Sequence, residues 1–175
     1  MTPGIQEVMR ALERAWDEHT DALLVRRDVA AALNRAAREI EVRYLPTGAG
    51  GRGLDEVRAF YGEQLVPALP AELGRRSVSR TVDQFRLVRE STWRFRHDRP
   101  MPWLAPGVAA SGVDVELLVV EIAGFRQGRL ASRRVLWDHA ALQAQLLRQP
   151  ADGAGRDQRT ATGSERSPRT TKPGL

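Results

Sequence analysis

The chain has 175 residues, of which 42% are hydrophobic, 27 are basic, 22 are acidic and none is cysteine. That is enough apolar material for one domain with a real core, which argues against global disorder; without cysteine there is no disulfide, thiol nucleophile or thiolate metal site. No run of about 18 uncharged apolar residues could cross a membrane, and the charged opening MTPGIQEVMRALERAWDEH lacks a signal-peptide core, so the expectation is a cytoplasmic protein with no membrane partner.

The net charge of +5 needs a closer look before it is read as nucleic-acid affinity. All but one of the basic residues are arginine, a bias of composition, and residues 151–175 carry +2 of the total. In residues 1–150 the arginines are scattered among acids and form no stripe, so no nucleic-acid partner is expected. The tail 151–175 has almost no large apolar side chain and is expected to be disordered beside a domain spanning 1–150.

In chain order, Thr2-Pro3 offers a cap and first-turn proline for a helix whose apolar face is Ile5, Val8, Met9, Leu12, Ala15 and Trp16. His19 falls on that face and should point inward. Asp28 can cap a second helix with Val29, Leu33 and Ala36 inside, before a strand, IEVRYLP. The run TGAGGRG reads as a loop, and it lacks the strand-to-helix spacing and the lysine of a phosphate-binding loop. Leu54, Val57, Tyr61 and Leu65 trace a third helix, closed by Pro67 and Pro70.

From Phe85 the pattern is β: Phe85, Leu87, Trp93, Phe95 and His97 share one face, and Val88, Glu90, Thr92, Arg94 and Arg96 the other. After the proline-rich loop DRPMPWLAPGVAASG, the runs DVELLVVEIAGF and RLASRRVLWDHA flank Gln127-Gly128, a two-residue hairpin signal. A tight turn there would set Arg126 opposite Arg129, Glu121 opposite Arg134, Val119 opposite Leu136 and Leu117 opposite Asp138. Both faces of this hairpin are rich in Leu, Val and Ile, so both need cover; helices can supply one, and a second copy of the chain the other.

The blocks YLPTGAGGRGLDEVRAFYGEQLVPALP, SVSRTVDQFRLVRE, HDRPMPWLAPGVAASG and FRQGRLASRRVLWDHAALQAQLL resemble a SnoaL-like polyketide cyclase group of the nuclear transport factor 2-like superfamily. The resemblance covers roughly residues 16–147. It implies an α+β fold, with three N-terminal helices packed on a curved, mostly antiparallel sheet that forms a cone-shaped pocket, usually in a homodimer. It also implies a small hydrophobic ligand or substrate and, in the enzymes, acid–base chemistry without a cofactor. Some relatives carry a carboxymethylenebutenolidase label, but the cysteine nucleophile of the well-known dienelactone hydrolases has no counterpart here. The family's late strand usually reads glutamate-x-x-tyrosine-tryptophan-aspartate-glutamine. Here Arg133 stands at the glutamate position, Leu136 at the tyrosine and His139 at the glutamine, while Pro102 replaces an acid before Trp103.

Three residues are candidates for catalysis. Asp138, set by the hairpin pairing among Leu117, Val119 and Leu136, could be a base with a raised pKa; alternatively it caps the helix that follows. His97 could shuttle protons at the lip of the pocket, or hydrogen-bond the adjacent loop. Glu90 matches an acidic position of the family, or pairs across the sheet with an arginine. Trp103, Trp137, Tyr44 and Tyr61 are candidates to line a ligand pocket, with Arg80 as a positioning group and His19 either a pocket or a core residue. Glu121, in the run LLVVEI, needs a partner if buried, and Arg134 is the one expected. The histidines lie far apart with no acidic neighbours at ligand spacing, so no metal is expected.

Overall fold

A computed structural model describes residues 4–148; the expected cap at Thr2-Pro3 and the tail 151–175 lie outside the described residues. Helix α1 (Ile5–Leu24) buries Leu12, Ala15, Trp16, His19 and Leu23, as its spacing requires, while Ile5 at its open end is exposed. Asp28 caps α2 (Val29–Leu33), its side chain accepting from the Ala31 N–H. This helix ends sooner than expected: Ala36 already begins β1 (Ala36–Tyr44).

The glycine-rich segment is not a loop throughout. Ala49–Arg52 forms β2, antiparallel to β1, with Val42 opposite Gly51 and Arg43 opposite Gly50. Glycine is what allows it. Gly50 has φ 143°, and a Cβ there would lie 2.0 Å from the Val42 carbonyl oxygen.

The third helix runs as expected but changes its winding. An α-helical start, α3 (Leu54–Ala59), passes into a π-helical segment at Phe60–Leu65 and a 3-10 turn at Val66–Ala68. Val57, Tyr61 and Leu65 all stay buried.

Four long strands follow: β3 (Gly74–Val82), β4 (Arg86–Arg96), β5 (Asp114–Arg126) and β6 (Arg129–Trp137), then α4 (His139–Leu146). Phe85, expected in a strand, is exposed in the β3–β4 turn, where the Asp83 carboxylate accepts from the Phe85 and Arg86 N–H groups. The six strands form one sheet, in the order β2-β1-β6-β5-β4-β3. Every pairing is antiparallel except β1 with β6, so this is an α+β fold with a mostly antiparallel sheet. Register shifts in β1, in β3 and in the β5–β6 pair are the irregularities that bend strands.

The β5–β6 shift decides what faces inward. Arg126 pairs with Arg129 as expected, but Gly124 faces Ser132 and Phe125 faces Leu130, leaving Ala131 as an extra residue. Beyond this bulge the register has slipped by one residue, and a one-residue slip exchanges the faces of a strand. Glu121 therefore lies opposite Val135, and Val119 opposite Trp137, not opposite Arg134 and Leu136. Arg133, Val135 and Trp137 turn inward, whereas Arg134 is exposed.

The inner face packs against α1, α2 and α3 around Trp16, Tyr44, Phe60, Tyr61, Trp93 and Trp103. Burying one such side chain stabilises the fold by ~1.5–3 kcal/mol. The outer face carries half-buried Val88, Val120, Ile122 and Leu136 and exposed Leu118. Helix α4 closes the end where β6 stops short of β5: the Gln145 side chain accepts from the Glu116 N–H and donates to its carbonyl, each at 2.9 Å. No helix among the described residues is long and apolar enough to cross a membrane.

Candidate active site on the inner face of the sheet

The slipped register places an ion pair in the interior. Arg133 Nη2 donates to Glu121 Oε1 at 2.7 Å, and neither side chain has any solvent exposure. A second donor, Arg133 Nη1, reaches the Tyr61 hydroxyl at 3.4 Å. The Tyr61 hydroxyl lies 3.5 Å from His19 Nε2, while His19 Nδ1 is 2.8 Å from the Ala32 carbonyl. A carbonyl only accepts, so Nδ1 carries the proton and Nε2 accepts from Tyr61. Burial, then the charge of Arg133, push the His19 pKa down to about 3, so this imidazole is neutral in any ordinary buffer. Burial pushes both Tyr44 and Tyr61 up, keeping them protonated.

The aromatic surround is continuous. The Arg133 guanidinium lies 5.7 Å from the Trp16 ring centroid and 5.6 Å from that of Tyr44, distances at which a cation is attracted to a π face. Tyr44 in turn packs edge-on against Phe60, Trp103 and Trp137 at 5.5–6.2 Å. Within this cluster, six buried polar atoms have no protein partner: Trp16 Nε1, Trp103 Nε1, Trp137 Nε1, Tyr44 Oη, Arg133 Nε and Glu121 Oε2. Leaving a buried polar group unpaired costs about 1–3 kcal/mol, and such groups cluster where a protein has a use for them. Five are donors. One is a carboxylate oxygen.

Tyr44, Tyr61, His19, Trp103 and Trp137 therefore meet in one place, as the sequence suggested. The three catalytic candidates do not. Asp138 is exposed and its Oδ1 accepts from the Ala141 N–H at 2.9 Å: it caps α4, and the register slip is the reason it leaves the inner face. Asp138→Ala should cost ~1 kcal/mol and Asp138→Asn very little, since asparagine caps as well; urea denaturation of both variants checks this.

His97 is buried at the end of β4, where Nδ1 accepts from the Ser111 N–H at 3.1 Å and lies 3.0 Å from the Ser111 hydroxyl. Burial lowers its pKa, and its visible task is to fasten the loop 98–112. Glu90 lies on the outer face and accepts from the Ser79 hydroxyl at 2.9 Å. Arg80, a supposed substrate anchor, is engaged by α1 through Asp17 at 2.5 and 3.1 Å. The partner of Glu121 is Arg133, not the expected Arg134. The place of Arg133 at the family's glutamate position was the signal that it faces inward.

No protein-family model and no curated protein sequence matches the chain, but many solved structures do. A nuclear transport factor 2-like protein from Burkholderia pseudomallei is 24% identical, with a TM-score of 0.60 over 79% of this chain and 98% of that one. A candidate SnoaL-like polyketide cyclase from Jannaschia is 16% identical, with a TM-score of 0.65 over 86% and 98%. TerC, crystallised with polyporic acid, is 15% identical, with a TM-score of 0.58 over 78% and 98%. With its helices on one face of a bent sheet, its β1–β6 parallel pairing and these neighbours, the chain has the nuclear transport factor 2-like fold.

Proposed function

We propose that the chain is a small-molecule enzyme that performs cofactor-free acid–base chemistry on a hydrophobic carbonyl compound or lactone held on the inner face. Cyclisation, isomerisation, dehydration and hydrolysis are the reaction types in range. The observation that carries this reading is the set of unpartnered polar atoms: five donors around one free carboxylate oxygen. Donors in excess suit a ligand whose polar atoms are carbonyl oxygens, and the aromatic walls suit a flat apolar body. The neighbour crystallised with polyporic acid supports a small organic molecule as the occupant.

In this reading Glu121 Oε2 takes a proton from carbon or water, while Arg133 holds Oε1. Negative charge developing on the substrate oxygen is met by the N–H of Arg133 Nε and the indole of Trp16, donors already fixed in place. Tyr61, tied to Arg133 on one side and to neutral His19 on the other, orients the guanidinium. Glu121 and Arg133 have no solvent exposure, so a substrate reaches them only if the packing of the inner face opens. Loss of turnover in Glu121→Gln, with Asp138→Asn active, is the test.

A non-catalytic ligand-binding module is the second reading. It is favoured by Arg133 itself, a cation engaging Glu121 Oε1 at the position where the resembling family carries glutamate. In either reading the outer face, with Leu118 exposed beside Val120, Ile122 and Leu136, is proposed to pair with a second copy. Leu118→Glu should then convert a dimer to monomer in light scattering. Monomeric mass for the unmodified protein at micromolar concentration would rule the dimer out.

A further inference from the structure

Four arginines share the inner face with Glu121, and two of them make no ion pair among the described residues. The register places Arg80, Arg89 and Glu121 side by side on β3, β4 and β5, with Arg75 beside Trp93 farther along. Arg133 is matched by Glu121, and Arg80 by Asp17 and Glu13 of α1. Among the described residues, Arg75 and Arg89 make no ion pair and no side-chain hydrogen bond, although both are half-buried and Arg75 Nη1 and Arg89 Nε are fully so. Burial pushes the Arg75 pKa down; the charge of Glu121 offsets part of this, the charges of Arg89 and Arg133 add to it, and that of Asp17 offsets a little more. Two half-buried, mutually repelling cations are costly to hold. An anion between them would remove that cost.

From this arrangement we infer that the ligand of the inner-face site is an organic acid, its carboxylate held by Arg75 and Arg89 and its apolar body directed toward Glu121 and Arg133. The inference rests on the small-molecule reading above and names its substrate class. Guanidinium forks match a carboxylate in bidentate geometry. Exposure falls from the half-buried pair Arg75 and Arg89 to Glu121, which solvent does not reach. The charged end thus stays near the rim and the reacting end lies among the unpartnered donors. Asp17, the acid of α1 that faces Arg75, is already committed to Arg80.

The test is calorimetric titration of the full chain with 1-naphthoate and with 1-naphthamide, its neutral counterpart of the same shape. The acid should bind at least tenfold more tightly than the amide. Arg75→Met and Arg89→Met should each abolish that preference while leaving amide binding unchanged and the melting temperature no lower. Equal affinity for acid and amide in the unmodified protein would overturn the carboxylate site and leave the small-molecule reading standing. Binding of neither would count against both. A preference that survives both substitutions would place the carboxylate elsewhere and overturn the assignment.

Discussion

Arg133→Met should destabilise the protein by about 3–5 kcal/mol, the cost of removing one partner of a buried ion pair and leaving the other unpaired. Glu121 has no exposure and no hydrogen bond apart from the one Arg133 supplies, so neither solvent nor another side chain can take over. Its carboxyl must then be neutralised on folding or the chain must open to hydrate it. Putting methionine at 121 as well should recover most of the loss, because two apolar groups of similar volume replace the pair and its desolvation cost together. Chemical denaturation of the two single variants and the double variant checks this. If Arg133→Met alone is nearly neutral, the pair is hydrated in solution and the interior is open rather than closed.

The second large effect concerns turnover. If Glu121 Oε2 is the base, Glu121→Gln should lower kcat by ~10²–10⁴-fold, the range a positioned acid–base group contributes. The amide keeps an oxygen for the Arg133 hydrogen bond but cannot take a proton. Because the variant also loses a charge opposite Arg133, its activity is measured well below its own melting temperature. Glu121→Asp, which keeps the charge and withdraws the oxygen by one carbon, should retain part of the activity if the protein is folded. Asp138→Asn should be fully active. Strong loss in Asp138→Asn together with a functional Glu121→Gln would restore the helix cap to a catalytic role and remove Glu121 from it.

What could be read from residues alone divides along physical lines. The helix of Leu12, Trp16 and His19, the Gln127-Gly128 turn and the alternation of β4 depend on local spacing, and they appear in the structure where the spacing puts them. The face of β6 does not depend on local spacing. With Leu, Val and Ile on both sides of the hairpin, patterning selects neither register, and the one extra residue at Ala131 is set by what the strand packs against. That single residue moved Asp138 out, Arg133 in and Arg134 to the surface. The π-helical turn at Tyr61 and the strand at Ala49–Arg52 were hidden for a similar reason: tertiary contacts, not propensity, select them. That Tyr44, Tyr61, Trp103, Trp137 and His19 face inward was legible because large aromatic side chains on inward faces have few other places to go.

The central claim is that a small molecule is bound on the inner face, against the unpartnered donors. The four tryptophans allow this to be read directly from their indole N–H resonances in a nitrogen-15 correlation spectrum. Trp16, Trp103 and Trp137 carry Nε1–H groups without a protein acceptor, whereas Trp93 Nε1 donates to the Ser91 hydroxyl at 2.9 Å. During titration with a polycyclic ketone, the Trp16, Trp103 and Trp137 indole signals are expected to shift with one common saturation curve. Saturable binding that leaves those three signals unmoved would place the ligand elsewhere and contradict the account.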